Sequence, residues 1–270
     1  METASDNEKK QDKRIYANPP IVLTAFGTTT KALDTYAVMD KTIRKKFPGH
    51  RIIWAYSSRM VKAHLTDKGV SGLKHPGQVL DELAAEGYAW AVVQSMHLIC
   101  GHEFYRMVEE AQQRNIRTSI GLPLLTDHKD YQKVISYLTD TIQSPENQSV
   151  VLIGHGTDHP AWSSYLALSH MLCEKFGDRV CMGVVEGYPE KDEIINKIVK
   201  SKIKKVLLIP FMLVAGRHLI DDIAGDDDSW KTALEEKGIS VSIRSTGLGM
   251  IPGIQKIFCS HIKDACDIIF

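Results

Sequence analysis

The sequence predicts an α/β protein of two doubly wound parallel-sheet domains related by an internal duplication, with a cleft between them. Three observations predict it. Apolar runs of strand length alternate with helical stretches along most of the 270 residues, the pattern of parallel sheets joined by right-handed crossovers. Stretches of the first half recur in the second: 21–28 matches 150–157 at an offset of 129, 51–58 matches 179–186 at 128, and 98–103 matches 213–218 at 115. Finally, His155, Glu186 and His218 each stand at or just beyond the end of an apolar run, and in open α/β sheets the carboxyl ends of the strands converge on one crevice.

Residues 1–18 contain Glu8-Lys9-Lys10-Gln11-Asp12-Lys13-Arg14, lack the apolar core of a signal peptide, and read as a flexible polar tail. Strand 21–25 ends at Gly27, and Thr28-Thr29-Thr30 suits the cap of a helix. That helix lines up Leu33, Tyr36, Met39, Thr42 and Ile43 on one face and stops near Pro48-Gly49. Strand 51–56, a helical segment at 60–65, a Gly- and Lys-rich loop at 67–76 and helix 77–86 follow. The nearly continuous apolar run 89–99 reads as a strand buried on both faces. Helix 103–115 and strand 116–125 complete an N-terminal domain of 19–126. Helix 129–143 and the polar turn 144–147 open a C-terminal domain of 127–270. Its second part alternates strand 150–154, helix 160–176, strand 179–185, helix 189–202, strand 204–214, helix 226–236, strand 239–244 and a last helix from 252.

Thirty-three basic and 33 acidic residues give no net charge, so neither nucleic acid nor a membrane surface is expected as partner. No apolar run is long enough to span a bilayer. The cysteines Cys100, Cys173, Cys181, Cys259 and Cys266 are odd in number and scattered. They argue for a reducing compartment, the cytoplasm, and against a disulfide framework or a CxxC metal site. The chain is expected to form a homo-oligomer.

Two imidazoles and a carboxylate suit a divalent first-row transition metal, and three protein ligands leave positions open for chemistry. The repeat sets Phe26 opposite His155 and Ser58 opposite Glu186, so the second half is expected to hold the metal. Gly154 and Gly156 flank His155, where glycine lets the backbone approach a ligand closely. Glu186 has a second reading as a cap for the helix near Pro189. Beyond His218, Asp221 or Asp222 is placed to accept the second ring N–H. The acidic stretch at 226–228 lacks the spacing of a calcium loop and, with Ser229, reads as the cap of a helix running from Trp230. In the first half His97, His102 and Glu103 end a strand, with His97 half buried and the other two starting a helix. His159 reads as a helix-start residue, and His50, His64, His75, His128, His170 and His261 as structural or surface groups.

Gly154-His155-Gly156-Thr157, Val184-Val185-Glu186-Gly187, Val214-Ala215-Gly216-Arg217-His218 and Ala224-Gly225-Asp226-Asp227-Asp228-Ser229-Trp230-Lys231, in that order, resemble the anaerobic sirohydrochlorin cobaltochelatases. So do Leu23-Thr24-Ala25-Phe26-Gly27-Thr28, Val93-Gln94-Ser95-Met96-His97 and Gly121-Leu122-Pro123-Leu124, and the match extends over 19–265. These are class II chelatases related to ferrochelatase. The resemblance implies a chelatase-like fold and insertion of Co2+ into sirohydrochlorin, or its precursor precorrin-2, on the oxygen-independent route to cobalamin. It implies His155, Glu186 and His218 as metal ligands, with His155 doubling as proton acceptor. A haem-binding relative uses the histidine matching His97, which makes His97 the implied haem contact. No GxxxxGK[ST] loop occurs, so no ATP is expected. Two departures stand out: His102 and Arg217 occupy positions where the family commonly has acids. Lys31, Arg59, Arg106 and Arg217 are candidates to meet the carboxylates of the substrate. A ferro- or nickel chelatase would use the same metal ligands, and a haem- or corrinoid-binding cleft protein without chemistry is the alternative from another class.

Overall fold

Ile21, Val22, Leu23 and Thr24 are fully buried and Ala25 nearly so, as a strand covered on both faces must be. They form β1 (Ile21–Ala25) in a computed structural model that describes residues 18–27, 33–58, 74–142 and 147–268. The N-terminal tail, the threonine cluster at 28–30, the segment 60–65 and most of the loop 67–76 and the turn 144–147 lie outside the described residues.

The first sheet joins β1 to β2 (Ile52–Tyr56), β3 (Trp90–Ser95) and β4 (Arg117–Gly121) in the order β2-β1-β3-β4, all parallel. Helices α1 (Leu33–Lys46), α2 (Pro76–Ala85), α3 (His102–Gln112) and α4 (His128–Ile142) run between and after its strands. Helix α1 carries Asp34 in its first turn and Arg44, Lys45 and Lys46 in its last, charges that suit the two ends of the helix dipole. Helix α2 buries Val79, Leu80 and Leu83 in a core with Val22, Ala91, Val93, Phe104 and Met107.

The second sheet repeats the first. It comprises β5 (Gln148–Gly156), β6 (Val180–Glu186), β7 (Lys205–Pro210) and β8 (Ser240–Ile243) in the order β6-β5-β7-β8, again all parallel. Helices α5 (Ser163–Phe176), α6 (Lys191–Lys200) and α7 (Trp230–Glu235) run between its strands, and α8 (Pro252–Cys266) follows the last of them in the chain. Strand register carries the duplication further than topology does. The offsets of 129, 128 and 115 that align the sequences take the pair Ile21–Ile52 onto Val150–Val180, and Ile21–Val92 onto Val150–Leu207.

By contact the chain groups into two compact units. One holds the described residues up to Gly27, Asp40–Leu124 and the described residues from Lys256 onward; the other holds the described part of Thr28–Met39, and Leu125–Gln255. The sequence puts a boundary at 126 and the terminal helix with 127–270. The contact division at Leu124 is close to that boundary, but most of α8 groups with the first unit. There the Ser119 hydroxyl donates to the Ala265 carbonyl at 2.6 Å, and His261 Nδ1–H donates to the Leu122 carbonyl at 2.9 Å. Among the described residues no helix is long and apolar enough to cross a membrane.

Candidate metal centre

His155 lies one residue before the end of β5, in a Gly-His-Gly sequence whose glycines have a steric explanation. A Cβ at Gly154 would sit 2.7 Å from the Tyr165 ring, and one at Gly156 would sit 1.7 Å from the Glu186 carbonyl oxygen. Gly156 also has φ +92°, in the left-handed region that glycine tolerates. The sequence assigns these glycines to a close approach by a ligand. The structure uses them for a close approach by the protein itself, which draws the ends of β5 and β6 together and pairs Gly156 with Glu186 in register. Behind them the buried Tyr165 hydroxyl accepts the Gly156 N–H at 3.4 Å, and burial pushes its pKa up to about 12.

His218 reaches the same neighbourhood from further along the chain. The sequence extends the strand to 214, but β7 ends at Pro210. The backbone then runs through Phe211, Met212 and Leu213, all buried, to a single π-helical turn, Leu219–Ile223, for which His218 is the N-terminal flanking residue. The turn places Asp222 so that His218 Nδ1–H donates to its carboxylate at 2.8 Å. Of the two acids flagged by sequence, Asp222 therefore holds the ring, while Asp221 pairs with Arg217 at 2.8 Å. His155 Nδ1–H donates to the Gly156 carbonyl at 3.1 Å. A carbonyl or a carboxylate can only accept, so both imidazoles are held as tautomers whose Nε2 carries the free lone pair. The two rings stand edge to face, with centroids 4.5 Å apart at 89°.

The structure thus brings His155 and His218 together. The carboxylate of Glu186 does not complete the group, since no three His, Cys, Asp or Glu side chains among the described residues converge on one ion position. Glu186 ends β6 beside Gly156 and is exposed, and among the described residues no hydrogen bond or ion pair holds its carboxylate. The alternative reading of Glu186 as a helix cap has no support, because Glu190 is the residue that flanks α6.

In the first half, the positions matching the three candidates are Phe26, Ser58 and Glu103. Phe26 is exposed and Ser58 buried, and the Glu103 carboxylate accepts from the Ser57 hydroxyl at 2.7 Å and from Arg106 at 2.8 Å. His97 lies nearby in sequence. Its Nδ1 shares a hydrogen bond of 2.9 Å with the Ser95 hydroxyl, its Nε2 is enclosed without a partner among the described residues, and burial lowers its pKa to about 4. The candidate carboxylate-binding cations divide: Arg106 and Arg217 are ion-paired to Glu103 and Asp221, and Lys31 and Arg59 lie outside the described residues. His159 does cap a helical turn, accepting the Ala161 N–H at 3.1 Å. Sequence reasoning missed the aromatic pair Trp162 and Tyr188, whose rings meet edge to face at 5.7 Å. An aromatic residue close after each of two candidate ligands was the available signal.

The model of the family described as Cobalt chelatase (CbiK) matches residues 20–267. The sirohydrochlorin cobaltochelatase of Salmonella typhimurium is 34% identical over 253 residues, which cover 91% of this chain and 95% of that protein. Sirohydrochlorin cobaltochelatase CbiKC of Nitratidesulfovibrio vulgaris is 31% identical over 272 residues, 96% of this chain and 95% of that one. Among solved structures, SirB from Bacillus subtilis with Fe3+ superposes with a TM-score of 0.64 at 16% identity, over 93% of this chain and 96% of SirB. The sirohydrochlorin chelatase SirB in complex with cobalt does so with a TM-score of 0.61 at 14% identity, over 93% and 96%. At those identities the structural likeness speaks for the fold.

Proposed function

The chain belongs to the CbiK cobalt chelatase family, and on that premise we propose that it inserts Co2+ into sirohydrochlorin, or precorrin-2, without ATP, in anaerobic cobalamin biosynthesis. The observation that carries the site assignment is the pair of imidazoles, 4.5 Å between ring centroids, each with Nδ1 tied as a donor. Neutral imidazole is a good ligand for Co2+ and exchanges readily, and the third ligand in the proposal is Glu186. Its exposed carboxylate is free to adopt another rotamer when the ion arrives.

The reaction exchanges two N–H protons of the macrocycle for one divalent ion. The overall charge balances without an oxidant or an energy source. His155 and His218 serve twice in this scheme, as lone-pair donors that hold the incoming metal and as bases. An imidazole nitrogen can accept a proton and release it again, which suits that double role. His155 is the proposed proton acceptor, since its ring is held only by a neutral carbonyl and is exposed. His218, backed by Asp222, is the stronger metal ligand.

Haem has no step in this scheme. His97, the haem contact implied by the resemblance, has Nδ1 held by the Ser95 hydroxyl and an enclosed Nε2 with no partner among the described residues. A homo-oligomer in the cytoplasm completes the proposal, with the tetrapyrrole as the one expected partner; light scattering on the purified chain measures the assembly.

The decisive assay is anaerobic absorbance with purified protein, sirohydrochlorin and Co2+, Fe2+ or Ni2+ in parallel. Cobalt-dependent loss of the free macrocycle spectrum is expected. His155→Ala and His218→Ala are each expected to abolish insertion while leaving the circular dichroism spectrum unchanged. Wild-type rates in both variants would remove the imidazole pair from the mechanism.

A further inference from the structure

Trp162 and Tyr188 are the exposed aromatic groups that follow the two proposed ligands His155 and Glu186. Trp162 closes the 3-10 turn Pro160–Trp162, and Tyr188 lies two residues beyond the end of β6. The loops that carry them touch, since a Cβ at Gly187 would sit 3.2 Å from the Thr157 carbonyl oxygen. Both side chains remain open to solvent, at 36% and 41%, although the chain buries Trp230 to 1%. Large aromatic area left exposed beside a reaction site is more informative than a scattered exposed leucine.

The pair is also held in place. Rings at 5.7 Å and 85° make a favourable edge-to-face contact. The turn under Trp162 is fixed by His159 Nδ1 accepting the Ala161 N–H and by the Ser163 hydroxyl donating to the Pro160 carbonyl. Two rigid aromatic groups supply contact area at low entropic cost. A flat conjugated ring system is the ligand chemistry that fits.

We propose that Trp162 and Tyr188 form the macrocycle-positioning surface of this chelatase, holding one face of the tetrapyrrole so that its nitrogens meet the metal at His155 and His218. This rests on the chelatase reading and adds the residues that set substrate affinity. Base stacking on protein aromatic side chains offers a guide to size, and losing one such contact weakens binding by about tenfold.

The test uses the full chain under anaerobic conditions. Sirohydrochlorin is titrated without metal, and insertion kinetics with Co2+ are measured, for wild type, Trp162→Ala, Trp162→Phe and Tyr188→Ala, each checked by circular dichroism. Both alanine variants are expected to raise Kd and KM for sirohydrochlorin about tenfold with kcat within about twofold, and Trp162→Phe is expected to recover most of the loss. Unchanged Kd and KM in both alanine variants, with wild type active, overturn the proposal. So does a fall in kcat at constant KM, or a change in oligomeric state at constant KM, which would give the pair to a second copy of the chain. A wild-type protein that binds sirohydrochlorin through this pair yet inserts no metal would sink the chelatase reading instead.

Discussion

His155 and His218 stand out in the sequence because each imidazole follows an apolar run and is flanked by glycine or followed by acids, and the structure sets their rings 4.5 Å apart. What could not be read was how each ring is held. Sequence left Asp221 and Asp222 as equal candidates, and a π-helical turn decided between them by setting Asp222 against Nδ1 at 2.8 Å. The glycines beside His155 were legible as a close approach but not as an approach by Glu186 and Tyr165, since a sequence does not say which chain element arrives. A prediction follows at this scale. Partners that orient a metal-binding imidazole are typically worth about 10- to 100-fold in metal affinity or activity. Asp222→Ala is therefore expected to weaken Co2+ binding by about tenfold or more. Asp222→Asn should keep most of the affinity, because an amide oxygen still accepts the ring N–H. Equilibrium dialysis with Co2+, with 15N shifts reporting the His218 tautomer, distinguishes a positioning role from loss of fold. Equal affinity in all three proteins would leave Asp222 as a surface acid.

Elements were legible in kind and order, and less so in length. The apolar runs 89–99 and 204–214 suggested strands of that length, yet β3 stops at Ser95 and β7 at Pro210. Residues beyond those ends, Met96 and Ile99 in one case and Phe211, Met212 and Leu213 in the other, are buried although they lie outside the strands. Apolar character reports burial, and burial continues where the strand does not. Pro210 lacks an N–H, which suits it to a strand end. The same limit applies to the acidic stretch before α7. A helix from 226 was one expectation, but the helix starts at Trp230, with Ser229 as its cap. Ser229 is fully buried, accepts the Thr232 N–H at 3.1 Å and donates to the Gly225 carbonyl at 2.6 Å, so the cap also ties α7 to the end of the π-turn segment. Ser229→Ala is expected to cost about 1–2 kcal/mol, at the upper end for an N-cap because the Gly225 bond goes too. Urea unfolding measures it, and a loss below about 0.5 kcal/mol would mean that water replaces both bonds.

The duplication was legible at the scale of the whole molecule because three short matches fell in order, and strand register is kept in each of them. Paired strands must keep register to keep both faces buried, and register is kept in all three matches, so the near-equal 129 and 128 mean only that the β1–β2 and β5–β6 connections are almost the same length. The looser 115 absorbs a change in connection length. Chemistry did not follow the scaffold: Phe26, Ser58 and Glu103 occupy the places of His155, Glu186 and His218, and in the first half the His97 ring is partly buried with its Nε2 enclosed. That burial makes a prediction about the folded state as a whole. A neutral histidine enclosed in this way, its pKa lowered to about 4, refuses the proton that the unfolded chain accepts at about 6.5. Above pH 6.5 neither state is protonated at this site, and the group makes no demand. As pH falls from 6.5 toward 4, the unfolded state gains a proton that the native state does not, so stability is lost across that window. Between pH 7.5 and 5 the loss from this one site is on the order of 2 kcal/mol. His97→Gln removes the titrating group while keeping a hydrogen-bonding side chain. Urea unfolding at a series of pH values should show a shallower decline for the variant than for wild type over pH 7.5 to 5. Parallel curves would mean that His97 opens to water and protonates within the folded protein.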